Sequence, residues 1–231
     1  MNSAVLNPVM DIPVLQDGDR LDRTEFERRY EAMPGVKAEL LDGVVYMASP
    51  ATAFHASPHG DLMGWIVVYK SFTLGVYSGD NGTVRLLDDS EPQPDVQLRI
   101  EESCGGQSRI DDDNYVEGAP EWVGEVAYSS KTIDRRVKLP IYERAGILEY
   151  LIWNVEDAQI DWFILRDGRY ERLQAGADGI IRSETFPGLW LDVEAMTRRD
   201  MGSVLRVLQK GIDSPEHAQF VSSLASRARK S

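Results

Sequence analysis

Between Trp122 and Ala127 the chain reads Trp-Val-Gly-Glu-Val-Ala, an apolar run broken by one carboxylate. The stretch that contains it, Glu121 to Tyr128 (EWVGEVAY), reads as a buried strand. A chain with such a strand has to build a sheet around it. It must also deal with Glu125, because an ionised side chain buried in apolar surroundings is costly unless something compensates it. A bound metal ion is one such compensation.

Other elements can be placed around that strand. Residues 24–33 (TEFERRYEAM) set Phe26 and Tyr30 four apart among charges, which predicts a short amphipathic helix with Thr24 as N-cap and Pro34-Gly35 as its stop. Asp42-Gly43 between two apolar runs predicts a hairpin over 37–48. A helix is expected from about His59 to Phe72, with Leu62, Ile66 and Tyr69 on one face. VYSG, TVRLL and DVQLRI read as strands, placing Asp95 at the start of the third, and the polar stretch 101–120 reads as a surface loop. After the central strand, SSKT offers caps for a helix over IDRRVKLPIYERAG, closed by Gly146. Pro140 is expected to disturb that helix by clashing with the carbonyl four residues back. LEYLIWNV, QIDWFILR and RYERL predict an antiparallel meander with turns at Glu156-Asp157 and Asp167-Gly168. The tail from Glu194 reads as helical, with Val204, Leu205 and Leu208 among its apolar residues.

Length and charge narrow the function. A chain of 231 residues suits one domain with a sizeable core. Its formal charge of -13 argues against a protein that coats nucleic acid, since nonspecific affinity comes from Lys and Arg neutralising phosphates. It does not exclude a nuclease, which gathers acids around a cation and needs only a local basic strip. Lys131, Arg135, Arg136 and Arg144 are candidates for that strip. No apolar run approaches the roughly 20 residues needed to span a bilayer, and the first residues, with no basic region ahead of an apolar stretch, do not read as a secretion signal. The lone Cys104 cannot form an internal disulfide, so a cytoplasmic location is expected.

Phosphodiester hydrolysis uses a hard cation, and hard cations prefer carboxylate oxygens. Asp95, after Pro94 at a strand start, and Glu125 are the candidate pair. Each has an ordinary alternative: Asp95 shaping a turn, Glu125 pairing with Arg135 or Arg136, Lys138 pairing with Asp134, Glu39 standing as an exposed strand residue. His55 and His59 have a zinc-compatible spacing on a helix, but Ser57-Pro58 between them argues against a continuous helix and favours capping or phosphate contact. Trp153, Trp162 and Trp190 read as core or interface anchors.

Several co-linear segments are similar to one known family. QPDV, GAPEWVGEVAYSS and the series Asp134, Lys138, Tyr142 resemble the Uma-type endonuclease family of the PD-(D/E)xK nuclease superfamily, as do ELLDG, FHASPHG, LEYLIWNVED, WFILRDGRY and FPGLWLDV. The resemblance covers about 24–196, leaving 1–23 as an N-terminal extension and 197–231 as a helical tail. It implies an α/β, restriction-endonuclease-like fold, a mixed β-sheet flanked by helices with an antiparallel C-terminal meander. It also implies a catalytic set of Asp95, Glu125, Lys138 and Glu39, with Asp95 and Glu125 as ligands of Mg²⁺ or Mn²⁺. The superfamily's lysine two residues after the glutamate is replaced by Ala127, and Lys138 on the next helix is the substitute. Lys138 would orient or deprotonate the attacking water, or stabilise charge on the phosphate.

Two functional classes follow. One is a metal-dependent nuclease acting on nucleic acid, DNA first; the other is a non-catalytic module using the fold for binding or dimerisation. A homodimer is expected in either case, through the aromatic-rich strands between Tyr150 and Phe163.

Overall fold

Alternating side chains of the central strands go to opposite faces, and both faces are buried. The computed structural model describes residues 12–48, 53–128 and 131–229. Helix α1 (Arg23–Glu31) leads into the hairpin β1 (Ala38–Leu41) and β2 (Val44–Met47), followed by α2 (Ala53–Ser71). Strands β3 (Val76–Asp80), β4 (Val84–Arg85) and β5 (Val96–Ile100) come next. The 101–120 stretch holds a 3-10 turn (Glu102–Cys104), β6 (Arg109–Ile110) and β7 (Val116–Glu117). After β8 (Trp122–Ala127) the chain turns helical through α3 (Lys131–Ile133), a π-helical segment (Asp134–Lys138) and α4 (Leu139–Ala145). Strands β9 (Glu149–Asn154), β10 (Gln159–Arg166) and β11 (Arg169–Arg172) form the meander. Strands β12 (Ile180–Arg182) and β13 (Trp190–Asp192) pair before helices α5 (Val193–Thr197), α6 (Met201–Ile212) and α7 (Pro215–Ala228).

The main sheet has six strands in the order β11-β10-β9-β8-β5-β3, antiparallel except for the parallel pair β8–β9. Parallel neighbours need a crossover, and the helical stretch from Lys131 to Ala145 provides it. On one face Trp122, Val126, Leu151, Trp153 and Trp162 pack with Leu62, Trp65 and Ile66 of α2 and with Val204 and Leu208 of α6. On the other, Val123, Ala127, Tyr150 and Ile152 pack with Leu41, Ile141 and Tyr142. The expected mixed sheet, its flanking helices and the meander are all present.

Several local expectations need correction. Asp22, not Thr24, caps α1, its Oδ1 accepting the Glu25 N–H at 2.9 Å. Helix α2 runs through Ser57-Pro58; lying near the helix start, Pro58 forfeits a single backbone bond there. The 101–120 stretch is not structureless, since β6 and β7 join β4 in a small sheet anchored by Arg85, which contacts Asp111 at 2.6 Å and Asp113 at 3.0 Å. The strands between Tyr150 and Phe163 offer no interface, because β9 and β10 each have a partner on both sides; the sheet edges are β11 and β3. The expected caps Ser129 and Ser130 and the side chains of His55 and Lys131 lie outside the described residues. Among the described residues no helix is long and apolar enough to cross a membrane.

Gly124 sets how closely α2 approaches the sheet. A Cβ there would stand 2.5 Å from the Trp122 ring and 3.2 Å from Leu62 Cδ2. Overpacking a filled core typically costs about 1–3 kcal/mol. Gly124→Ala should therefore lower the urea midpoint by that order; an unchanged midpoint would contradict this packing.

Candidate active site

The register of β5 against β8 pairs Val96 with Gly124, so one step further Asp95 stands opposite Glu125. Direct cross-strand neighbours in an antiparallel pair project to the same face. The two acids are also tied through the backbone. Asp95 Oδ2 accepts the Val126 N–H at 2.8 Å, and the Asp95 N–H reaches Glu125 Oε2 at 3.4 Å. From α2, His59 Nε2 lies 3.0 Å from the Asp95 carbonyl oxygen and 3.2 Å from Asp80 Oδ1.

The crossover helix supplies the cation. Leu139 N–H donates to the Asp134 carbonyl five residues back, the signature of a π turn, directly before Pro140. A proline in an ordinary helix would collide with the carbonyl four residues earlier, and the wider turn removes that conflict. The expected disturbance at Pro140 is this π segment. It delivers Lys138 to Glu125, with Nζ donating to Oε1 at 2.9 Å, and one turn on the Tyr142 hydroxyl donates to the same oxygen at 2.9 Å.

Glu39 arrives from the hairpin. Strand β1 is tied to the segment entering β5 by Glu91 N–H to Leu40 O at 2.7 Å and Gln93 Nε2 to Ala38 O at 3.1 Å. Glu39 Oε1 then accepts the Gln93 N–H at 2.5 Å and lies 2.9 Å from Lys138 Nζ. Lys138 is thus shared by two carboxylates while being only 4% exposed.

Charge in this cluster is unbalanced. Burial pushes the Glu125 carboxyl well above its usual range; Lys138 opposes this, and Asp95, Asp134 and Glu39 add to it. Burial alone would strip the Lys138 proton, but Glu125 and Glu39 overcome that and hold its ammonium well above the ordinary lysine value. Both partners of the pair are raised, where a balanced ion pair would lower the acid. The reason is the burial of Glu125, which outweighs the opposing Lys138 charge, with Asp95, Asp134 and Glu39 acting in the same direction as burial.

The structure brings together all four candidates read from the sequence, Asp95, Glu125, Lys138 and Glu39. It also assigns the alternatives. Glu125 pairs with Lys138 rather than an arginine, and Arg135 goes to the fully buried Asp161, which Arg172 also contacts at 2.7 Å. Arg144 pairs with Asp42, so of the expected basic strip Arg135 and Arg144 are engaged and Arg136 is exposed. Trp153 and Trp162 are core residues. Sequence reasoning did not give Tyr142 a role, although its spacing of four from Lys138 was the available signal. Among the described residues, no group of three or more His, Cys, Asp or Glu side chains is arranged to hold a metal ion.

A glutamate whose carboxyl is raised in the folded state costs stability as pH climbs above its unfolded value of 4.5, because the unfolded chain releases the proton first. Lys138 does not contribute in that window, its stabilisation being lost only well above 10.5. Glu125→Gln keeps an acceptor for Lys138 and Tyr142 and removes the group that titrates. Without added metal, the stability of Glu125→Gln relative to wild type should therefore rise from about pH 5 to about pH 8, because only wild type carries the growing cost of ionising Glu125. Melting curves of both proteins at the two pH values check this, and a difference between them that does not change with pH would contradict it.

No curated protein matches the chain. A solved structure from Anabaena variabilis ATCC 29413, described as a "putative nuclease belonging to DUF820", superposes with a TM-score of 0.53 at 12% identity, covering 74% of this chain and 97% of that one. At that identity the likeness shows the fold, which is restriction-endonuclease-like. The model of the Uma2 family, described as "Putative restriction endonuclease", matches residues 23–194 and so spans β1, β5, β8 and the crossover helix that carry the cluster. The chain belongs to the Uma2 family of restriction-endonuclease-like proteins.

Proposed function

We propose that this protein is a divalent-cation-dependent endonuclease that hydrolyses phosphodiester bonds of nucleic acid, with DNA as its substrate and Mg²⁺ or Mn²⁺ as its ion. The observation that carries the reading is the cross-strand pair of buried acids Asp95 and Glu125, with the Lys138 ammonium held between Glu125 and the partly buried Glu39. Two protein carboxylates fit Mg²⁺, which commonly takes one or two and keeps water or substrate phosphate on its other positions. Asp95 and Glu125 would hold it. When bound there, the ion polarises the phosphate and lowers the pKa of a coordinated water.

The remaining residues act through position and charge. Lys138, kept protonated by Glu125 and Glu39, is poorly suited to take a proton from water. Of the roles expected for it, stabilising negative charge on the scissile phosphate is the one its protonation favours. Glu39 holds the second side of the ammonium, and the Gln93 N–H fixes Glu39 in turn. Arg136, exposed on the π segment, supplies a backbone contact.

The alternative is a non-catalytic module on the same fold. Calorimetry with Mn²⁺ and a plasmid-nicking assay separate the two. Wild type should bind and cleave, Asp95→Asn and Glu125→Gln should lose both, and Lys138→Met should lose most turnover. Metal binding without cleavage of any DNA or RNA would favour the module, and unchanged affinity in both carboxylate variants would remove Asp95 and Glu125 as ligands.

The same reading includes a homodimer, joined at the β3 edge, where Phe72, Leu74 and Tyr77 are exposed. Light scattering should give a dimeric mass. A monomer across a wide concentration range would contradict it.

A further inference from the structure

The two oxygens of Glu125 have different surroundings. Oε1 accepts from both Lys138 Nζ and the Tyr142 hydroxyl, each at 2.9 Å. Oε2 has the long 3.4 Å contact from the Asp95 N–H. A carboxylate oxygen offers about two lone-pair sites, so Oε1 is filled while Oε2, on the Asp95 side, keeps capacity.

Lys138 by itself defines this asymmetry poorly. Its flexible stem ends in an ammonium shared with Glu39 Oε1 at 2.9 Å. Tyr142 is a stiffer donor. Its ring is fully buried and meets Tyr150 edge-on at 4.9 Å. Its backbone is fixed where α4 ends, with the Tyr142 carbonyl accepting the Ile147 N–H at 3.1 Å.

We propose that Tyr142 is a positioning residue whose hydroxyl occupies Glu125 Oε1 and thereby reserves Oε2 for the divalent cation. This rests on the metal-dependent reading above. If Tyr142 were only a core ring, Tyr142→Phe would keep its packing and leave metal affinity alone. Partners of metal ligands instead typically change affinity by one to two orders of magnitude when removed. Tyr150→Phe is the matched control, because it strips a neighbouring buried hydroxyl that donates to the Asp134 carbonyl and not to Glu125.

The test is calorimetric titration of Mn²⁺ into wild type, Tyr142→Phe, Tyr150→Phe and Glu125→Gln, with metal-free melting curves as a check on folding. Tyr142→Phe should bind roughly tenfold more weakly at a melting temperature close to wild type, Tyr150→Phe should bind like wild type, and Glu125→Gln should not bind. If Tyr142→Phe is destabilised, all four titrations are run in trimethylamine N-oxide, which favours the folded state. Wild-type affinity in Tyr142→Phe, with binding lost in Glu125→Gln, overturns the role of Tyr142 and leaves the metal site standing. Equal losses in the two tyrosine variants also overturn it, by showing general loosening. A wild type that binds no Mn²⁺ overturns both the inference and the reading beneath it.

Discussion

The carboxylate of Glu125 is buried in the middle of the sheet, and the site around it follows from what that burial requires. An isolated charge in such a place is expensive, and an ion pair repays the cost only with good geometry and further hydrogen bonds. Here the repayment comes from Lys138 and Tyr142 on one oxygen and a weak backbone contact on the other. It is incomplete, since Asp95 and Glu39 add negative charge to the same place. A structure selected for stability alone would have an apolar residue at position 125. Keeping a carboxylate there makes sense as a place prepared for a positive partner.

The π segment is the device that reconciles this need with the local sequence. Asp134 to Lys138 must bring an ammonium down onto β8, while Pro140 two residues later cannot donate a backbone bond. Widening the helix by one residue per turn satisfies both demands. The Asp134 carbonyl accepts the Leu139 N–H that defines the widened turn, and the Tyr150 hydroxyl lies beside it at 3.2 Å. The same segment sends Arg135 the other way, to Asp161, so Arg135 and Lys138 brace it against different strands.

Much of this was readable from residue order. The apolar run around Glu125 gave a central strand, Asp42-Gly43 gave the hairpin, and the three apolar runs after Gly146 gave the meander. What local patterns could not give was partnership. Arg135 and Lys138 are both basic and three apart, and only the packed sheet decides that one meets Asp161 and the other Glu125. The same holds for Tyr150 to Phe163, where aromatic content suggested an interface but marks interior core strands. Short-range rules also favoured Thr24 as a cap, where the chain uses Asp22 two residues earlier. Tyr142 was visible as one of a spaced series, yet its contact to Glu125 depends on a strand 17 residues away in the chain.

The most direct test of the central claim is a crystal grown with Mn²⁺, read by anomalous scattering. The account predicts an ion held by Asp95 and by Oε2 of Glu125, with Lys138 and Tyr142 still on Oε1. An ion held elsewhere, or no ion at Asp95 and Glu125 in protein that cleaves DNA with Mn²⁺, would contradict it.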